Sequence, residues 1–330
     1  MHISVIRSLT AVVAGAALAL GAGHAAMAQS KPKLRFSAVI SEQDIRAEAI
    51  KMFAADIKND FDFEPFFNGT LFKQGTELVA MQRNNLEMAI LPPQDISKQI
   101  PAWSIMTAAY LFRDADHLRK TFKGDVGKEM NKLARDQLGV QILGPVYFGT
   151  RQVNLKPNKK ITTPADMAGI KLRMPPGEVW QLLGEAMGAN PTPVAFAEVY
   201  TSLQSGAIDG QDNPLPNSRV MKFHEVTTQF VLTDHLVGYD LLSVSAKIWD
   251  AMPAAKQAAF QAAADKAIDW STAKHVDQEK ELVAYFKSQG LQVYAPDVAA
   301  FRANAQKKYQ ESAFAKDWPK GMLERINAVK

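Results

Sequence analysis

The residues best suited to chemistry lie between Lys171 and Pro214. Lys171-Leu-Arg-Met-Pro175 reads as a buried strand, since Ile170, Leu172 and Met174 are apolar, and it delivers one cation, Arg173. A buried guanidinium cannot shed its proton, so it must meet an anion. Glu178, Asp209 or Asp212 could supply that anion from within the chain. Alternatively the fork is open to a ligand carboxylate, which it would grip bidentately. Arg151 follows the strand Val140 to Val146 and is either a second donor of this kind or part of a surface ion pair. Asp209-Gly-Gln-Asp-Asn-Pro214 reads as a turn, in which Asn213 either donates to a carboxylate oxygen or merely shapes the bend. Phe196, Trp180, Tyr147 and Tyr239 could wall a small organic ligand, or belong to the core.

Enzyme signatures are sparse. The sequence has no phosphate loop, no nucleophile elbow and no cysteine. His224-Glu225 begins like a zinc-protease motif, but Thr228 stands where its second histidine is required. His235 reads as a structural hydrogen-bonder, and neither a metal nor a cofactor is expected. A hydrolase using Asp209 and Asp212 as a general acid–base pair is the alternative. Their closeness within one short turn makes it hard for them to flank a substrate.

The N-terminus sets the compartment. Arg7, the apolar run Ala11 to Leu20 and Ala26-Met-Ala28 read as a secretory leader over residues 1–28. The run is about half of the ~20 apolar residues that a membrane span needs. The expected location is the periplasm, where a cysteine-free chain depends on its core alone. The chain carries 38 Lys and Arg against 34 Asp and Glu, and loss of Arg7 with the leader leaves +3. That is too weak and too mixed a charge to expect nucleic acid.

The elements that must position Arg173 follow a strand–helix rhythm. Lys33 to Ile40, Phe61 to Phe67 and Leu86 to Leu91 are predicted strands, with helices between them capped by Ser41 and Thr76. Helices broken near Gly124 and Gly127 lead to the strand at Val140, with Gln152 to Leu155 extended beyond it. Short helices flank Pro191 to Val194. Phe230 to Tyr239 is predicted to run extended, and Leu241 to Ser245 to form a strand. Ala254 to Gln289 contains no Gly or Pro and is predicted as one helix, or as two broken near Trp270. As a single rod it would strap two lobes together. A short strand at Leu291 and a helix from Phe301 end the pattern.

Several motifs carry a resemblance. They are Tyr147-Phe-Gly-Thr-Arg151-Gln152, Thr163-Pro-Ala-Asp166 running on to Pro175, Gly188-Ala-Asn-Pro-Thr-Pro193, Phe196-Ala-Glu-Val-Tyr200 and Ala207 to Pro214. Together they resemble the DctP-like solute-binding proteins of TRAP transporters. The resemblance implies a periplasmic-binding-protein-like α/β fold, with two lobes around a ligand cleft and a long helix across both. It implies lobe I from residues 29–149 and about 240–278, and lobe II from 150–239 and about 279–330. It also implies a monomer that delivers a small organic acid to a small Q-type and a large M-type membrane subunit, without ATP. The family's filter arginine matches Arg173, its partner asparagine Asn213, its second arginine Arg151 and its cleft aromatic Phe196. Pro93, in Leu91-Pro-Pro-Gln94, departs from the commoner pattern at the far end of the ligand. So does Gly177-Glu-Val-Trp180, where Glu178 would either touch the ligand or hold Arg173. Trp180, Tyr239 and Trp103 suggest an apolar or aromatic ligand tail. A sensory binding protein of the same shape is a further alternative.

Overall fold

The first strand, β1 (Lys33–Ser37), buries Leu34 and Phe36 and pairs in parallel with β2 (Asp62–Phe66) and β3 (Met88–Leu91). Helices α1 (Ile45–Ile57) and α2 (Glu77–Gln82) make the crossovers that parallel strands require. The computed structural model describes residues 31–330, and Pro32–Lys330 form one compact unit. The leader read over residues 1–28 lies outside the described residues. The cap of α1 is Asp44, not Ser41: residues 41–44 make a turn of their own, and the Asp44 carboxylate accepts from the Arg46 N–H. Thr76 begins α2 without a side-chain cap bond, its hydroxyl donating instead to the Lys73 carbonyl.

Pro92 ends β3, and Pro93 is the first residue of α3 (Pro93–Ser97). A 3-10 turn over Pro101–Thr107 follows, then α4 (Ala115–Lys123) and α5 (Asp125–Leu138). The break falls at Gly124. Gly127 lies inside α5, where a Cβ would sit 2.0 Å from the Phe122 carbonyl oxygen.

Next comes β4 (Val140–Leu155), one strand of 16 residues where two pieces were expected. After a capped 3-10 turn at Pro164–Met167 come β5 (Lys171–Met174), α6 (Glu178–Ala186) and β6 (Asn190–Pro193). A turn at Phe196–Glu198 opens α7 (Val199–Ser205), followed by β7 (Gly210–Pro214) and α8 (Leu215–Val220). The long strand β8 (Gln229–Ser245) runs unbroken, again where two pieces were expected. Register shifts in the β4–β8 pairing absorb the irregular residues without ending either strand. The chain closes with α9 (Ala246–Asp250), α10 (Ala254–Ser288), β9 (Gln292–Tyr294), α11 (Val298–Glu311) and α12 (Met322–Asn327).

The expected turn at Asp209–Pro214 is therefore a strand for most of its length. Gly, Asp, Asn and Pro are poor strand formers, yet all five residues of β7 are buried. The buried polar groups are satisfied from neighbouring elements: Gln211 donates to Asn154 on β4 and to Ser218 on α8, and Asp212 accepts from Arg151 on β4.

The sheet runs β2-β1-β3-β8-β4-β7-β5-β6, with β9 also on β8. Antiparallel β4 and β8 form its spine. The parallel group β2-β1-β3 joins the C-terminal end of β8, and the parallel group β7-β5-β6 joins the C-terminal end of β4. Helix α10 is a single rod of 35 residues, about 52 Å long at ~1.5 Å per residue. Its first half places Phe260, Ala264 and Ile268 in one core with Leu34, Phe36 and Phe53. Its second half places Leu282 and Phe286 in another with Leu215, Phe230 and Val293. The rod thus fastens both ends of the spine.

Where the spine crosses between the groups, Gly149 stands opposite Gly238. Gly149 has φ +116°, and a Cβ there would lie 2.6 Å from the Pro214 Cβ and 3.0 Å from the Glu279 Oε1. Gly149→Ala combines backbone strain with overpacking, and urea unfolding should show a loss of about 2–4 kcal/mol. A loss under about 1 kcal/mol would mean that the crossing yields to a side chain.

Candidate functional site

Strand β5 lies between β6 and β7, with Arg173 in register with Thr192 and Gln211. Leu172 and Met174 lock the strand into the main core. The Arg173 side chain is 1 % exposed. Its Nε donates to the Val194 carbonyl at 2.8 Å, and its Nη2 has no partner. No carboxylate lies within ion-pair distance of it. Its guanidinium carbon sits 5.8 Å from the centre of the Phe196 ring. Burial, reinforced by Arg151 and opposed by Asp212, pushes Arg173 down to about 9, so it remains a cation at neutral pH.

The three carboxylates that could have neutralised Arg173 are all elsewhere. Glu178 is exposed in the first turn of α6 and does not line the cleft. Asp209 accepts from the Lys171 N–H. Asp212 is held by Arg151, through Nε at 2.6 Å and Nη2 at 3.1 Å, and by His235 Nε2 at 3.0 Å. Burial opposes ionisation of Asp212, but Arg151 and His235 overcome it and hold the carboxyl well below its usual range. Arg151 also stacks 4.9 Å from the Trp180 ring centre. Arg151, read as either a second donor or part of a surface ion pair, is in a buried pair with Asp212 and also lines the cleft. His235 also bonds Thr233, as a structural histidine does. Neither Asp209 nor Asp212 lines the cleft that holds Arg173.

The cleft encloses about 780 Å³, counting the space open to solvent at its mouth. Arg173, Arg151, Asn213, Phe196, Trp180, Tyr239 and Pro93 all line it. The Asn213 amide already donates to Gln211 at 2.6 Å, and the Tyr239 hydroxyl to the Met106 carbonyl at 2.7 Å. Tyr147 is not in the cleft. Its hydroxyl donates to Glu279 on α10, and its ring packs beside His275. Trp103 is also absent, being buried with its Nε1–H on the Met130 carbonyl.

The rest of the lining mixes apolar side chains, among them Ile40, Ile90, Met106, Phe148 and Leu236, with buried polar and charged ones. Arg46 bonds Asp44 through Nε and Nη2 and Asp240 through Nη1 at 2.6 Å, so its charge is matched. Asp95 pairs with Lys98 at 2.6 Å. Glu77 is 4 % exposed, accepts from the Gly75 N–H at 2.9 Å, and makes no ion pair. Burial, with Asp95 adding to it, pushes the Glu77 carboxyl up to about 7. The Gln94 Oε1 and Asn217 Oδ1 are buried without partners. Apart from Gln94, which ends the Leu91-Pro-Pro-Gln94 motif already noted, none of these residues stands out in the sequence. An acid in the first turn of a helix is ordinary on a surface, and only packing buries this one.

A family profile, described as bacterial extracellular solute-binding protein, family 7, matches residues 36–317. The sialic acid-binding periplasmic protein of Vibrio cholerae is 35% identical over 64% of this chain and 65% of its own length. A solute-binding protein of Roseobacter denitrificans is 30% identical over 91% of this chain and 92% of its own. A crystal structure of a TRAP periplasmic solute-binding protein from Roseobacter denitrificans holds 3-deoxy-D-manno-oct-2-ulosonic acid. It is 41% identical, covers 91% of this chain and 100% of that one, and has a TM-score of 0.89.

Two stability measurements check this electrostatic layout. Asp212→Ala strands a buried Arg151 and should cost about 3–5 kcal/mol in urea unfolding. Glu77 has its folded value raised from 4.5 to about 7. Its contribution to stability is therefore full below its unfolded value and is lost as pH rises through about 7. Glu77→Gln should raise the melting temperature near pH 8.5, by the equivalent of about 3 kcal/mol, and give a much smaller gain near pH 5. Equal effects at both pH values would place Glu77 in water.

Proposed function

The chain belongs to bacterial extracellular solute-binding protein family 7, the DctP-like binding proteins of TRAP transporters, and from that premise we propose that Arg173 receives the carboxylate of its ligand. One observation carries the reading. A fully buried guanidinium lines the cleft with one nitrogen unpaired and no carboxylate in contact. Phe196 supplies a ring beside it, Trp180 an apolar wall backed by Arg151, and Asn213 a nearby amide.

The ligand is a sugar acid with one carboxylate and several hydroxyls. Two buried acceptors on the cleft wall without donors, the Gln94 Oε1 and the Asn217 Oδ1, favour a ligand that carries hydroxyls. The ulosonic acid in the Roseobacter structure and the sialic acid in the Vibrio relative's name are both of this type. The protein works as a monomer in the periplasm and passes the acid to a small and a large membrane subunit.

Binding closes two lobes, residues 29–149 with about 240–278, and 150–239 with about 279–330. The sheet supports this division, since its two parallel groups attach to opposite ends of the β4–β8 spine. A hydrogen bond from the Phe196 N–H to the Gln74 Oε1, at 2.8 Å, joins the two proposed lobes beside the cleft.

The test is calorimetric titration with 3-deoxy-D-manno-oct-2-ulosonate. Leaving a carboxylate in the cleft without its cation costs about 3–5 kcal/mol, so Arg173→Ala should weaken binding by two to three and a half decades. An affinity within a few-fold of the parent would remove Arg173 from its assigned role.

A further inference from the structure

Three guanidinium groups, Arg46, Arg151 and Arg173, and three carboxylates, Glu77, Asp95 and Asp240, line the cleft. Most are matched. Arg46 holds Asp44 and Asp240, Arg151 holds Asp212, and Lys98 holds Asp95. That leaves one guanidinium and one carboxyl on the cleft wall without an ion-pair partner among the described residues, Arg173 and Glu77. Asp212 and Arg151 are the charges that act on Arg173, and Asp95 is the charge that acts on Glu77. Arg173 calls for one anion. Glu77 calls for hydrogen-bond donors that carry no negative charge.

Two more residues make the same demand. The Gln94 Oε1 and the Asn217 Oδ1 are buried acceptors with no donor. Both residues are themselves more than nine-tenths buried, Gln94 at 3 % exposure and Asn217 at 4 %. The Asn217 amide nitrogen is turned to Asp44, which leaves its oxygen as the end available to a ligand. Buried acceptors left unmet are costly, so a ligand that supplies hydroxyl donors is favoured over one that does not.

We infer that Glu77, Gln94 and Asn217 form a hydroxyl-recognising subsite that accepts the polyhydroxylated part of a monocarboxylate and refuses a second carboxylate. The inference rests on the Arg173 reading, since Arg173 must hold the single carboxylate for the hydroxyls to reach these acceptors. A dicarboxylate anchored at Arg173 would bring its second charge towards Glu77 and two bare carbonyl oxygens, with no free cation among them.

The experiment titrates 3-deoxy-D-manno-oct-2-ulosonate and succinate into the parent protein, Glu77→Gln, Gln94→Leu and Arg173→Ala at about pH 8. The parent should prefer the hydroxylated acid to succinate. Glu77→Gln should shrink that preference about tenfold or more, the worth of a hydrogen bond to a charged group. Gln94→Leu should shrink it in the same direction, and gives an independent reading should Glu77→Gln fold poorly. Arg173→Ala should weaken both acids by similar factors and leave the preference in place. A parent that binds succinate as tightly as the ulosonate overturns the subsite. So does a preference unchanged in folded Glu77→Gln and Gln94→Leu. Intact binding of both acids by Arg173→Ala would instead overturn the carboxylate role of Arg173.

Discussion

A buried positive charge without a countercharge is the constraint on which the rest of the structure depends. Arg173 is 1 % exposed and has a single hydrogen bond recorded, to the Val194 carbonyl. Left to itself, a folding chain would bring a carboxylate to such a group, because the unpaired state is expensive. Here the nearest acid, Asp212, is taken first. Alternation along β7 turns Asp212 to the face opposite Gln211, the residue in register with Arg173. On that face Arg151 and His235 grip it with three hydrogen bonds to its carboxylate. The Arg151–Asp212–His235 cluster therefore keeps Arg173 available as well as holding three strands together.

The same spine that builds the site joins the two halves of the sheet. Strands β4 and β8 pair over most of their length and belong to both halves of the sheet. They cross at a pair of glycines, with Gly149 held in a conformation that side chains rarely adopt. Glu279 from α10 accepts from the Thr150 N–H and from the Tyr147 hydroxyl at this crossing. The long helix is thus fixed to the spine beside the two glycines, with its two halves packed in different cores. Tyr147 belongs to this joint and does not line the cleft.

Function and stability pull against each other in the cleft. Glu77 is buried beside Asp95 without a cation, and burial raises its proton affinity. Above neutral pH that is a cost to folding with no return inside the protein. Gln94 and Asn217 add two unmet acceptors. Polar groups in this state persist at sites where a ligand completes them. Their clustering on the wall of the cavity that holds Arg173 makes the cleft a partly finished hydrogen-bond network.

By itself, the sequence determined the alternating α/β pattern, a helical stretch past Pro253 without Gly or Pro, and a cation, Arg173, set in a buried strand. Each rests on local signals: apolar periodicity, the lack of Gly and Pro, and a charge within an apolar strand. The motifs from Tyr147 to Pro214 also carried the family. Tertiary structure decided the rest. It made Gly210–Pro214 a buried strand, because partners on β4 and α8 satisfy side chains that would otherwise favour a turn. It matched Arg151 to Asp212, left Glu178 exposed in solvent, and brought Arg46, Glu77, Gln94 and Asn217 to the cleft. Whether a polar residue is paired, exposed or waiting depends on which distant residues surround it, and that is fixed only when the sheet and its helices pack.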